Sequence, residues 1–203
     1  MNEKFTELMV LLEEGFKRYG FIRKKKYAYH RKIEGGVQKI AIIPTKTRGK
    51  DEVYIHVFAG FNYPELNKVI CFLRDEEYEK KWFTASLNIA VLVNPQKTYG
   101  FYIDQFTDVV SIVDNILTNI EKYVLPFLEK CNTLEKFESM LLSKDEAVRR
   151  STVERPAWSI LALSLLFNRQ NSDKVIEEYY SEFACEIKKL EIAKEQIKKF
   201  SQV

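Results

Sequence analysis

The residues most able to do chemistry occur in one short basic stretch, Arg23–Lys32. Lysine and arginine side chains bind phosphate or carboxylate groups, and tyrosine rings can stack on nucleic-acid bases. The members that we predict to contact an anionic partner are Arg23, Lys24, Lys25, Lys26, Tyr27, Tyr29, Arg31 and Lys32. Another interpretation stays open, in which this stretch is a solvated loop and an edge strand whose lysines oppose aggregation.

Residues suited to nucleophilic catalysis are few in this chain. Its only two histidines, His30 and His56, both occur in strand-like segments, where they could face each other across a sheet. A serine or cysteine nucleophile needs an adjacent base held by a third group, and the Gly-x-Ser-x-Gly pattern is missing. We predict no catalytic residues, and a hydrolase with an unrecognised site remains an alternative.

Patterns for binding phosphate or metal are also missing from the sequence. Gly35-Gly36 has neither the Gly-x-Gly-x-x-Gly nor the Walker spacing that cradles phosphate groups. Acidic residues in the strand-like segments are scarce: Asp51 and Glu52 precede the third strand and Asp104 follows the last, which is too little to support a metal site. We therefore predict neither a metal nor a cofactor.

Charge is unevenly distributed along the chain. Residues 1–50 hold 13 lysines and arginines against 5 aspartates and glutamates, a net charge of +8, whereas the whole chain carries +3. The remaining residues therefore carry −5. Such segregation favours association with a charged partner, because long-range attraction speeds encounter and orients the two molecules.

Composition indicates a folded domain in a reducing compartment. The chain has 203 residues, of which 46% are hydrophobic, so it can form a core of ordinary size. Its three cysteines, Cys71, Cys131 and Cys185, are far apart and odd in number, which argues against disulfides. The longest apolar run, residues 160–167, contains Ser164 and is too short for a bilayer. We expect a cytoplasmic protein with no membrane partner.

Periodicity predicts one helix followed by a β-meander in the first third of the chain. Apolar residues at helical spacing predict an amphipathic helix over residues 4–19, which Gly20 would end. Short connections, including a hairpin turn at Gly35-Gly36, make the following strands antiparallel neighbours. The predicted strands are Tyr27–Ile33, Val37–Thr47 and Val53–Phe61.

Alternation predicts which side chains share a face of this sheet. Arg31 lies on the same face as Tyr29, whereas Lys32 lies on the other. In the third strand the apolar series from Val53 to Phe61 occupies one face. The residues predicted on the opposite face are Tyr54, His56 and Phe58.

The middle of the chain mixes helix and strand signals. Pro64 favours a short helix through Phe72, and both Trp82–Val93 and Tyr99–Ile103 are typical of strands. The order of the strands within residues 62–103 stays open at this point.

From Thr107 onward the pattern is helical. The first of these helices runs toward Pro126, which would end or kink it. Asn132 and Ser143 each precede a glutamate by three residues, and we predict that each caps a new helix.

Two further helices are predicted at the C-terminus. The helix at 156–168 is apolar on nearly every face, so we expect it to be buried centrally. A last helix over 173–200 would complete a helical hairpin. Its distal part, Ile187–Phe200, either packs on the same molecule or joins a second copy as a short coiled coil.

Several short motifs, taken together, resemble a known domain family. They are Gly20-Phe21 followed by lysines, Tyr29-x-Arg31, the Gly35-Gly36 turn, the strand Val37–Ile43 and the segment Tyr123–Leu128 with a short helix after it. The family is an uncharacterised, largely bacterial one, numbered 4304 among the domains of unknown function, and the resemblance covers roughly residues 1–142. It implies an α+β domain with a helical C-terminus and supplies no catalytic residues.

These observations predict an α+β fold with an N-terminal helix, an antiparallel β-meander of about four or five strands, helices on one face and a C-terminal helical hairpin. Residues 1–142 would form the α+β domain and 143–203 a helical extension packed on it, unless both belong to one domain. The predicted function is non-enzymatic binding of another protein, as when an immunity protein neutralises a bacterial toxin. The alternative is a nucleic-acid-binding module that uses Arg23–Lys32.

Overall fold

A computed structural model describes residues 3–46, 52–79, 83–93, 100–143, 145–151 and 156–167, together with positions 192 and 195. The strands are β1 (Ile22–Lys25), β2 (Ala28–Ile33), β3 (Gly36–Lys46), β4 (Val53–Asn62), β5 (Ala85–Asn88) and β6 (Gly100–Ile103). The helices are α1 (Glu3–Arg18), α2 (Pro64–Leu73), α3 (Ala90–Val93), α4 (Val109–Asn119), α5 (Leu125–Lys130), α6 (Leu134–Leu142), α7 (Glu146–Ser151) and α8 (Pro156–Leu166). The predicted α+β class with an N-terminal helix is confirmed.

The sheet is an antiparallel meander with two short strands added at one edge. β2, β3 and β4 pair in chain order, as predicted, and β1 pairs with β2 ahead of them. β5 and β6 both pair with the edge of β4 that faces away from β3. β5 pairs along Phe58–Phe61 and β6 along Val53–His56. This arrangement answers the question of strand order in residues 62–103 that the sequence left open.

β1 is a strand where the sequence predicted a loop. All four of its residues are exposed, and three of them are consecutive cations, so no apolar alternation marks the segment. It is a strand because β2 provides backbone partners, with Ile22 opposite His30 and Arg23 opposite Tyr29. A short edge strand rich in lysine also discourages pairing with other molecules.

Two glycines of the sheet occupy positions where a side chain would be strained or would collide. Gly35, in the turn between β2 and β3, has a φ of +63°, a left-handed conformation that costs other residues energy. Gly60, inside β4, lies so close to β5 that an added Cβ would collide with the carbonyl oxygen of Ala85.

One face of the sheet, which we call the core face, is covered by helices. α1 packs against α4, and α8 packs against α2 and α6. Residues 157–164 of α8 are all buried, which confirms the prediction of a central apolar helix. These residues belong to the same core as the sheet, although the boundary predicted at residue 142 stays a prediction. The buried residues of β3 and β4 on this face include Ile40, Ile42, Ile55, Val57, Ala59 and Phe61.

Pro126 does not end the helical segment, which continues to Lys130. A π-helical turn at Ile120–Val124 joins α4 to α5, and the N–H of Leu125 bonds to the carbonyl oxygen of Ile120. Pro126 then lies in the first turn of α5, where its fixed φ suits the helix.

The two predicted helix caps are each displaced to a neighbouring residue. Thr133, not Asn132, caps α6, because its Oγ1 accepts a hydrogen bond from the Lys136 N–H at 3.3 Å. Asp145, not Ser143, holds the start of α7 through a 3.1 Å bond from the Val148 N–H.

The predicted strand Trp82–Val93 is longer than the strand found in the described residues, and its last four residues are helical. β5 covers only Ala85–Asn88, and the Asn88 Oδ1 accepts a hydrogen bond from the Ala90 N–H at 2.9 Å as the chain turns into α3. The predicted helix 173–200 and the dimer segment Ile187–Phe200 lie outside the described residues, apart from helical positions 192 and 195.

Candidate binding surface

The basic stretch Arg23–Lys32 is divided between two faces of the sheet. Arg23 pairs with Tyr29 across β1 and β2, and side chains paired in this way share a face. Arg23, Tyr29 and Arg31 therefore lie on the core face. His30 and Lys32 lie on the opposite side of the sheet, which we call the outer face.

Both arginines of the stretch are engaged by carboxylates of this chain. Arg23 Nη1 lies 3.0 Å from Glu13 Oε2, and this hydrogen bond lowers the pKa of Glu13. Arg31 Nη2 lies 2.7 Å from Glu129 Oε1, and the Arg31 guanidinium also lies over the ring of Phe21 at 4.9 Å. These contacts hold the protein's own elements together, so the arginines are poorly placed to bind an external anion.

The two tyrosines of the stretch are turned toward the protein. Tyr29 is fully buried, with its hydroxyl donating to the Met9 carbonyl oxygen at 3.4 Å and its ring 4.7 Å from that of Phe16. Burial raises the pKa of Tyr29 to about 12. Tyr27 is half-buried, and its ring lies 5.8 Å from that of Phe5. Tyr29 thus has no surface on which a base or a partner could stack.

The lysines of the stretch remain exposed. Lys24, Lys25, Lys26 and Lys32 are all open to solvent, and within the described ranges none lies within 4 Å of a carboxylate oxygen. They are the part of the predicted site whose placement suits contact with an anionic partner.

A row of rings that the basic stretch does not include lies on the outer face. Tyr54 is the central member, with ring centroids 4.6 Å from both Tyr102 and His56, and Phe58 lies 6.3 Å beyond His56. We call Tyr54, His56, Phe58 and Tyr102 the aromatic row. Alternation correctly placed three of them together. Tyr102 joins them because β6 pairs with β4 at this point.

The aromatic row borders an apolar area at the centre of the outer face. Ile43 of β3 lies opposite His56 and is 45% exposed, and Ala41 lies opposite Phe58. Tyr102 is 65% exposed, which is a large exposed fraction for an aromatic side chain. The result is an apolar centre with exposed lysines on the strands at one side.

One more exposed ring follows the aromatic row in the chain. Phe106, in the turn after β6, is 84% exposed. Asp104 Oδ1 orders this turn by accepting bonds from the Phe106 N–H at 2.9 Å and from the Thr107 hydroxyl at 2.8 Å. The Thr107 bond is the main cause of a lowered pKa at Asp104.

The two histidines do not face each other, contrary to the expectation that they could. His30 lies level with Lys39 and Gly60, whereas His56 lies level with Ile43. Four residues of β4 separate these levels, which is about 13 Å along the strand. In the described part of the chain, no group of three or more His, Cys, Asp or Glu side chains is placed to hold a metal ion.

None of the helices within the described ranges has both the length and the apolar character needed to span a bilayer. Comparison of the chain with protein-family models, with curated proteins and with solved structures found no match in any of the three. The resemblance to the domain family numbered 4304 therefore stays a prediction, and the function is argued from the surface alone.

Proposed function

We propose that this domain binds another protein, without catalysing a reaction, through the outer face of its sheet. The observation that carries the proposal is the exposure of Ile43 and of Tyr102 on the same face of the sheet, Tyr102 being on the edge strand β6. Protein interfaces are typically apolar at the centre and polar at the rim, and exposed aromatic residues supply much of their affinity.

Charge supports an acidic surface on the partner. Lys25 and Lys32 stand on the same face as the aromatic row, two to three strands away from it. Lys25 lies level with Phe58, about 14 Å from it across three strands, whereas Lys32 lies about 10 Å across and about 13 Å along the strands from Phe58. Both cations therefore stand at the rim of a contact area of ordinary size. The exposed lysines of this face would attract an acidic partner.

Within this class, the role that we propose is neutralisation of a bacterial toxin in the cytoplasm, as an immunity protein performs it. The support for this role is an exposed apolar face and a segregated charge. Association of two copies through Ile187–Phe200 is part of the same proposal and concerns residues outside the described ranges.

A second candidate is the binding of single-stranded nucleic acid to the same face. The observation that favours it is that Tyr54, His56 and Tyr102 stand on strands of a sheet that also carries lysines, because rings and cations together bind bases and phosphates. Two facts weigh against it: both arginines of the basic stretch are paired internally, and Tyr29 is buried.

The test is affinity capture from a lysate of the encoding organism, with and without nuclease, using matched surface variants. Tyr102→Ala and Ile43→Ser alter the outer face, and Val110→Ala is the control because it is 57% exposed on α4. We expect one stoichiometric protein that resists nuclease, is retained by Val110→Ala and is lost by the outer-face variants. Affinity of the purified pair should fall steeply with salt.

Other outcomes would redirect or overturn the proposal. If recovery disappears with nuclease, the domain binds nucleic acid and the second candidate function is supported. Capture that is indifferent to Tyr102→Ala and Ile43→Ser, or no capture in either arm, would contradict binding through this face. For the toxin role, co-expression should rescue cells that the captured partner kills.

A further inference from the structure

A second site lies on the outer face, at the end away from Tyr54 and Tyr102. It is a cavity of about 370 Å³, lined by His30 of β2, Lys39 of β3, Pro64 and Lys68 of α2, and Tyr78. This volume falls within the usual range for sites that bind small molecules.

The sheet register places two nitrogen-bearing side chains side by side in this cavity. His30 and Lys39 are direct cross-strand partners in β2 and β3. Paired residues have Cβ atoms about 5 Å apart and side chains on the same face. Both groups can therefore approach one oxyanion from the same side.

Lys39 is a buried cation on the outer face. It is only 9% exposed, and its Nζ lies 4.5 Å from the ring centroid of Phe83. Within the described part of the chain, no carboxylate lies within ion-pair distance of it. A lysine is rarely buried in this way, because an unpaired charge loses solvation without compensation. Burial, together with Lys25, also lowers the pKa of Lys39.

The polar floor of the cavity is held in place by a hydrogen-bond network. Asn62 Oδ1 accepts from Asn67 Nδ2 at 3.2 Å, and Asn67 Oδ1 accepts from the Thr84 hydroxyl at 2.9 Å. This bond uses the Asn62 oxygen and orients the amide, whose Nδ2 hydrogens are the groups that could donate to a ligand. Lys68 adds a cation at the rim, where it is paired with Glu65 at 2.8 Å.

The rest of the lining is apolar. Val37 and Pro64 present hydrocarbon, and Tyr78 presents a ring. We propose that this cavity binds a small organic anion, with its carboxylate or phosphate head at Lys39 and His30 and its apolar body against Pro64 and Tyr78. This site goes beyond the protein-binding face, because it does not involve Tyr102 or Ile43.

The histidine ring signals provide a direct test by NMR, since the chain has only two and His30→Gln assigns them. Benzoate and phenyl phosphate serve as anionic probes, and benzamide is a neutral probe of the same shape. At about 10 mM, which detects dissociation constants in the millimolar range, we expect the anions to shift the His30 signals and benzamide to shift them far less.

Lysine variants assign the anion to Lys39. Lys39→Met should reduce benzoate affinity at least about tenfold, the effect of losing one charge-assisted contact. Lys122→Met is the matched control, because Lys122 also lies over a ring, that of Tyr123, but on the other side of the fold. Tyr102→Ala should leave anion binding unchanged, so this test and the partner-capture test can fail separately.

Three results would overturn the inference. They are unmoved His30 signals with both anions, equal shifts with benzoate and benzamide, and undiminished benzoate binding by Lys39→Met. The comparison of benzoate with benzamide needs only the wild-type chain. It therefore tests whether the cavity prefers an anion even if Lys39→Met does not fold.

Discussion

The guanidinium of Arg31, on β2, lies against the carboxylate of Glu129, on α5, with Nη2 2.7 Å from Oε1. Arg31 Nε also donates to Gln38 Oε1 at 2.8 Å, and Gln38 Nε2 donates to the Leu128 carbonyl oxygen at 2.9 Å. These contacts join the sheet to a helix 98 residues further along the chain. Arg31 is therefore a link within the fold.

Replacing Arg31 by methionine should destabilise the protein by about 1–3 kcal/mol, because fully buried Gln38 would lose the donor for its oxygen. Urea denaturation measures the change. Arg23→Met is the control, since Arg23 is more exposed than Arg31 and holds no buried glutamine, so its loss should have a much smaller effect. Equal losses in the two variants would mean that the Gln38 network contributes nothing.

Substitution of Gly60 by alanine should weaken the pairing of β4 with β5. The added Cβ would meet the Ala85 carbonyl oxygen, which belongs to backbone and cannot move without shifting β5. We expect a loss of about 2 kcal/mol or more in thermal or urea denaturation. Gly35→Ala is the control, because its Cβ meets nothing and only the positive φ costs energy, about 1 kcal/mol. A Gly60→Ala protein as stable as wild type would refute the close approach.

The stability of the protein should depend on the protonation of His30. Burial is the largest cause of a pKa below 6.5 at His30, and the positive charges of Lys39, Lys25 and Lys24 lower this pKa further. The unfolded chain then binds the proton more tightly, so protonation favours unfolding. Neutral His30 makes its full contribution to the free energy of unfolding above about pH 6.5. This contribution is lost as the pH falls from there through the lower pKa of the folded state.

An NMR titration without added anion checks this prediction. The midpoint for His30 should lie below 6.5, and Lys25→Met should raise it because a nearby positive charge is removed. Lys122→Met should leave the midpoint where it is. A wild-type midpoint at or above 6.5 would show that His30 is neither buried nor surrounded by cations as described.

The described cysteines should be inert in the native protein. Cys71 and Cys131 are both buried thiols, and burial raises the pKa of Cys131 to about 12. Because the thiolate is the reactive form, a disulfide reagent at about pH 8 should modify them only as fast as the protein opens. Cys185→Ser removes the thiol outside the described ranges. In denaturant both remaining thiols should react at once, whereas prompt reaction in the native state would argue against their burial.

Much of the local structure was predictable from short-range patterns. Helical spacing predicted α1, alternation placed Tyr54, His56 and Phe58 on one face, and an all-round apolar sequence predicted buried α8. The errors lie where neighbouring residues offer equivalent signals. Thr133 replaced Asn132 as a cap, and the apolar run after Asn88 became a helical turn where alternation had predicted a strand.

The candidate site was less predictable than the elements that carry it. Alternation showed that Tyr29 and Arg31 share a face, but it could not show that helices cover that face. For the same reason, a basic stretch that reads as continuous in the chain is two different surfaces in the fold.

By itself, the sequence determined the class of fold, the helix and strand segments with strong periodicity, and the uneven charge. These depend on residues within a few positions of one another, whose spacing is visible in the chain. Only the tertiary structure decided that Tyr102 lies beside Tyr54, that Lys39 lies beside His30, and that Tyr29 is covered. Strand register and helix docking depend on contacts between distant residues, and no local pattern specifies them.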